Sequence, residues 1–238
     1  MNKVKMMCII GLVSASVLYA EAPAWFIPLR DAVLEQVLSS SEVLPLYETA
    51  KAQAESIVSK NERNVMLARC ENIMGQVYQR EGQKTEAGAY YGRGETFAKS
   101  AIEEQPTSEA YYVLAESIAC LCDVKGFGYQ VANGMRFINN ANKAISLDPN
   151  NVEAKYLLVA SNAFANPPFR NLSKAKKLLD EILENEETLP NDVRFNVYYA
   201  LGIVHQKEKK PNDARAWFEL ALSLYPTNKD AQKSLKEI

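Results

Sequence analysis

The 238-residue chain reads as an all-α protein, an α-solenoid of about ten or eleven helices stacked as antiparallel hairpins. Three observations predict this. Small and bulky residues return at fixed intervals in units of about 34 residues. Apolar positions follow the helical period, and no segment sustains the alternation of a strand. The single Asn-Gly dipeptide, Asn133-Gly134, is not flanked by sustained alternating runs, and there is no Asp-Gly, so no hairpin between strands is indicated.

Residues 1–20 stand apart from the fold. Lys3 and Lys5 give a positive start, Met6 to Val17 is an apolar run, and the segment ends on the small residue Ala20. This reads as a Sec-type signal peptide and predicts an exported, periplasmic chain. The apolar run is short for a spanning helix, so no integral membrane span is expected after cleavage. The alternative is an uncleaved leader that anchors the chain in the inner membrane.

Residues 21–67 read as an N-terminal hairpin or cap. Trp25 to Leu38 and Val43 to Ser59 have helical periodicity, with Ser39-Ser40-Ser41 between them. Four repeated units then fill residues 68–226. The first starts near Ala68 with Met74-Gly75, Tyr78, Ala87 and Tyr91, and its second helix runs on through Ala98 and Ala101 to Pro106. The second starts at Ser108 with Tyr111, Leu114-Ala115 and Ile118, and ends on Phe137, Ala141, Ala144 and Leu147-Asp148-Pro149-Asn150. Its excess length falls at Asp123 to Val131, where Gly126-Phe127-Gly128-Tyr129 breaks the periodicity and predicts an inserted loop. The third starts at Glu153 with Tyr156 and Val159-Ala160. Asn166-Pro167-Pro168-Phe169-Arg170-Asn171 delays its second helix, and Asn171 or Ser173 is placed to cap it. The fourth starts at Phe195 and is the most regular: Tyr198, Leu201-Gly202, Ala214, Phe218, Ala221 and Pro226. Its small residues let two helices approach, and its proline ends the unit. Residues 227–238 read as a short polar capping helix, Asn228 to Glu237.

Composition is that of a globular chain, 47% hydrophobic and 24% charged, and a formal net charge of −2 gives no bulk attraction for nucleic acid. Of the cysteines beyond the leader, Cys120 and Cys122 sit two apart and point to different faces of a helix. With Cys70 they read as small buried side chains. There is no Cys-x-x-Cys and only one histidine, His205, so neither a metal site nor a cofactor is expected. No serine or cysteine accompanies His205 in a catalytic arrangement, and it reads as a packing residue rather than part of an enzyme. Gly126-Phe127-Gly128 lacks the preceding strand and the Gly-Lys-Ser/Thr sequel of a phosphate loop. Phe127 and Tyr129, with Phe169 and Arg170, read as loop side chains that either contact a partner or pack over helix ends.

From Ala68 to Pro226 the chain resembles tetratricopeptide repeat proteins, and its layout is similar to the exported, periplasmic type. The resemblance implies a non-enzymatic scaffold that binds a protein or peptide in a concave groove lined by the first helix of each unit. Carried over position by position, that groove holds Arg69, Asn72, Gln76 and Gln79 in the first unit and Glu109, Tyr112, Glu116 and Ala119 in the second. The third contributes Ala154, Leu157, Ser161 and Phe164, and the last Asn196, Tyr199, Ile203 and Gln206. The groove then grades from polar amides, through two acids, to an apolar and aromatic end. Glu109 and Glu116 would repel a carboxylate, which argues against the chaperone-tail clamp of some members of that family. The resemblance also implies an alternative, an accessory subunit of a periplasmic TRAP-type solute transporter that binds a small ligand or the transporter's binding protein. Either reading is compatible with a homo-oligomer.

Overall fold

The computed structural model describes residues 22–165, 167 and 169–238, so the expected signal peptide at 1–20 lies outside the described residues. Eleven α-helices and no strand are found among the described residues: α1 (Ile27–Glu35), α2 (Ser40–Glu55), α3 (Lys60–Arg80), α4 (Lys84–Glu104), α5 (Ser108–Lys125), α6 (Phe127–Leu147), α7 (Val152–Ala163), α8 (Leu172–Leu183), α9 (Asn191–Lys207), α10 (Pro211–Leu224) and α11 (Lys229–Lys236). The helices α3/α4, α5/α6, α7/α8 and α9/α10 pair as four hairpins, preceded by α1 and α2 and closed by α11. The first helices touch in series, α3 on α5, α5 on α7 and α7 on α9, and so form an inner layer.

Local chemistry sets the boundaries. Ser39 starts α2, and Glu42 reaches back to accept from the Ser39 backbone N–H at 2.8 Å. Thr107, Asn151, Asn171 and Asn228 accept from the backbone N–H three residues on and so cap α5, α7, α8 and α11.

The small positions of the repeat work by close approach. A Cβ added at Gly202 would lie 2.4 Å from the Phe218 ring, and one at Gly75 would lie 2.4 Å from the Tyr91 ring. Hairpins α9/α10 and α3/α4 therefore seat an aromatic side chain directly against glycine backbone. Ala214, Phe218 and Ala221 are fully buried, as are Ala87, Tyr91 and Ala98.

One expectation is corrected. Residues 123–131 do not form a loop. Helix α5 runs to Lys125, α6 begins at Phe127, and Gly126 alone makes the turn, at φ 83°. A positive φ with extended ψ is open to glycine and to almost no other residue, so one residue reverses the chain and the surplus length goes into two longer helices. Phe127 and Tyr129 thus sit in the first turn of α6. The delay in the third unit, by contrast, is non-helical around Pro167 and Phe169, and Asn171 caps the helix that follows.

The two ends of the stack meet. Helix α1 packs Leu29 and Ala32 with α2 and α3, while Leu34 reaches the apolar cluster of α9 and α10. Arg30 pairs with Asp192 at 3.0 Å, and the Tyr225 hydroxyl donates to Asp31 at 3.0 Å. Asn228 donates to the Leu34 carbonyl, Thr227 to that of Glu35, and Gln36 to Asp230, each at 2.7 Å.

Candidate functional site

The inner face is built by the side chains that the four first helices turn toward one another. On α3, Asn72 is buried. It donates to Glu116 of α5 at 2.8 Å and accepts from Ser117 at 2.9 Å. Arg69 pairs with Glu153 at the start of α7, two units away, and its guanidinium lies 5.4 Å from the centre of the Tyr112 ring. Burial pushes the Glu116 carboxyl above its ordinary range, while Asn72 and the nearby Arg69 pull the other way. Asp192 at the start of α9 is also raised by burial and opposed by Arg30. Ion pairs therefore cross the concave side from α3 to α7 and from α1 to α9.

Toward the last unit the face turns aromatic. Phe164, at the end of α7, stacks on Tyr199 of α9 with ring centroids 6.1 Å apart, and Tyr199 stacks in turn on Phe195. The Tyr199 hydroxyl lies 3.3 Å from Ser234 of α11. Ile203 is buried against Phe218, Leu235 and Ile238, so the chain's own C-terminal segment covers it.

The expected groove is therefore turned inward over much of its length. Asn72, Tyr112 and Ile203 are buried in packing. Gln76, Glu116, Leu157, Ser161, Asn196 and Tyr199 are half-buried, Leu157 among apolar neighbours and Ser161 bonded to the Leu158 carbonyl. Glu109 and Phe164 reach solvent. The physical reason is local packing between units: Asn72 is engaged by Glu116 and Ser117, Arg69 by Glu153, and Ile203 is covered by Leu235 and Ile238. Of the four side chains expected in loops, Phe127 and Phe169 are 74% and 77% exposed, Arg170 is half-buried, and Tyr129 packs beside Leu121 under Lys125.

Two features escaped the sequence. Glu71 is fully buried and joins three helices. It accepts from the Tyr47 hydroxyl of α2 at 2.7 Å and from Arg93 Nε of α4 at 2.9 Å, with Lys51 at 3.7 Å. It occupies the register position that Tyr111, Tyr156 and Tyr198 hold in the other units, and that mismatch was the available signal. The second is the seam between α1 and the last unit, whose partners are too far apart in sequence for any local pattern to link them.

Among the described residues no three His, Cys, Asp or Glu side chains gather to hold a metal ion. His205 Nδ1 lies 3.7 Å from Asp213 and 3.9 Å from Glu208 at the end of α9. Cys70, Cys120 and Cys122 are free thiols, and burial pushes that of Cys70 up to about 12. No described helix is long and apolar enough to cross a membrane.

The family model described as regulator of microtubule dynamics protein 1-3 matches residues 32–160, and the tetratricopeptide repeat model matches residues 195–228. No curated protein matches the chain. The crystal structure of a thermophilic tetratricopeptide protein from Thermus thermophilus is similar at a TM-score of 0.56 and 18% identity, over 90% of this chain and 98% of that one. At that identity the likeness speaks for the fold.

Proposed function

The chain belongs to the regulator of microtubule dynamics protein 1-3 family and is a tetratricopeptide repeat protein, and from that premise we propose that it is a non-enzymatic scaffold that binds a protein or peptide. The observation that carries this reading is the inner face itself. Four rigid helices bring preorganised polar and aromatic groups to one side, ending at the Phe164–Tyr199 stack, with the Phe164 ring 38% exposed. Aromatic side chains fixed on helices lose little freedom on binding and favour recognition. The test is site-specific photo-crosslinking from Phe164→benzoylphenylalanine in cells. A discrete adduct with a second protein, lost on Glu109→Lys, supports the reading; the absence of any adduct from Phe164 overturns it.

Export under the leader at residues 1–20 is part of the proposal, and N-terminal sequencing of the cellular protein tests it. The family's name raises microtubules as the partner instead. The formal net charge of −2 favours no strongly acidic surface as partner, and an exported chain would not meet the cytoskeleton. Co-sedimentation with polymerised tubulin decides. Saturable binding there would overturn the export reading and identify the partner.

A further inference from the structure

The contact between α1 and the last unit differs from the other helix contacts in the stack. Elsewhere the hairpins share large buried apolar clusters alongside their polar contacts. At this seam Leu34 is joined by hydrogen bonds and ion pairs at the rim: Arg30 to Asp192, Tyr225 to Asp31, Asn228 and Thr227 to the backbone carbonyls that end α1, Gln36 to Asp230, and the Lys229 backbone N–H to Gln36. A cleft of about 380 Å³ runs along it beside Asp31, Glu35, Tyr225 and Thr227, so α1 does not fill the surface it lies on. Gln36, which ends α1, holds a φ of 55°, a backbone conformation that glycine adopts more readily.

We propose that the face formed by the start of α9, the end of α10 and the start of α11 is a docking site for a helix of the partner protein, and that α1 occupies it in cis until displaced. The occupant is specified by what α1 presents. It carries a basic residue to meet Asp192 and a leucine one turn further on to enter the α9/α10 cluster. Its C-terminal carbonyls accept from Asn228 and Thr227. Asp192 takes the Arg30 guanidinium and the Tyr225 hydroxyl takes the Asp31 carboxylate, so the face favours an amphipathic helix that carries a basic residue followed by an acid. The inference rests on the scaffold reading and names the partner's chemistry for it. Displacement is favoured because a polar rim exchanges its hydrogen bonds for equivalent ones at little loss, whereas an apolar interface would not.

The probe is a synthetic peptide of residues 25–37, labelled for anisotropy and titrated with the full chain. The intact chain binds it weakly, because its own α1 competes. Arg30→Ala with Gln36→Gly removes three rim contacts of the cis helix, to Asp192, Asp230 and the Lys229 backbone, and adds no backbone strain, and the peptide then binds at least about fivefold tighter. Adding Asp192→Lys to that variant abolishes the gain, and a peptide carrying Arg30→Glu recovers binding to it. Should the double variant fail to fold, Gln36→Gly alone gives the same ordering at smaller amplitude. Equal affinity for intact and weakened chains, or indifference to Asp192→Lys, overturns the proposal. So does dimerisation of the weakened chain by light scattering, since a second copy's α1 would then be the occupant. A chain that still yields its Phe164 adduct but ignores the peptide loses this inference and keeps the scaffold reading.

Discussion

Arg93 Nε donates to Glu71 Oε2 at 2.9 Å, and this bond holds a carboxylate with no solvent exposure at the junction of α2, α3 and α4. Removing one member of a buried pair costs more than the pair contributes, because the other charge is left stranded. Arg93→Ala is expected to destabilise the chain by about 2 kcal/mol, the partial exposure of Arg93 keeping the loss below that of a fully enclosed pair. Adding Glu71→Gln should restore part of that loss. Urea denaturation of the two variants checks the order.

The glycine-aromatic seats give the second prediction. Gly202→Ala places a methyl group against the Phe218 ring, and overpacking of this kind costs about 1–3 kcal/mol. Gly75→Ala should behave alike against Tyr91. Phe218→Leu in the Gly202→Ala background should recover more than the single substitutions predict by addition. Thermal melts of the single and double variants measure the coupling.

Glu116 sets a pH dependence. Its carboxyl is raised in the folded chain above the ordinary value of 4.5, so the native state binds the proton more tightly than the unfolded state. The Glu116 contribution is therefore most favourable below the unfolded value and is lost as pH rises through the folded one. Glu116→Gln keeps an acceptor for Asn72 and removes the half-buried charge. It is expected to be more stable than the native chain at neutral pH and to flatten the stability profile above pH 4.5. Denaturant midpoints between about pH 4 and pH 8 test this. A variant less stable than the native chain at about pH 7 would refute it.

Cys70 is fully buried, and its thiol is pushed up to about 12 by burial and the neighbouring Glu71. The thiolate is the reactive form. Alkylation of Cys70 in the native chain at about pH 8 should therefore be slow and should follow unfolding, while urea exposes it at once. Mass spectrometry of timed iodoacetamide reactions reads both rates.

The sequence carried the hairpins well because their physics is local. Gly202, Phe218 and Ala221 announce a close helix pair within one unit, and the same reasoning reached Gly75 and Tyr91. It failed at Asp123 to Val131, since surplus length between two helices looks the same whether it loops out or extends them, and one glycine decided the matter. It failed on the inner face for another reason. Whether Asn72 or Tyr112 meets solvent depends on partners from other units, such as Glu116 and Ser117 on Asn72 and the Arg69–Glu153 pair beside Tyr112, which no window of neighbouring residues contains. Phe164 keeps its exposure because it lies at the C-terminal end of its helix.

A linear array of repeats ordinarily frays from its tips, since each terminal unit has a neighbour on one side only. Here the opening helix and the closing unit are neighbours, so neither tip is free to melt alone. Loss of order has to begin by parting them, and every later step inherits a chain that has become an ordinary open rod. Proteolytic nicking of residues 36–39, which would untether α1, should thus loosen the far C-terminal helix as readily as the near N-terminal one.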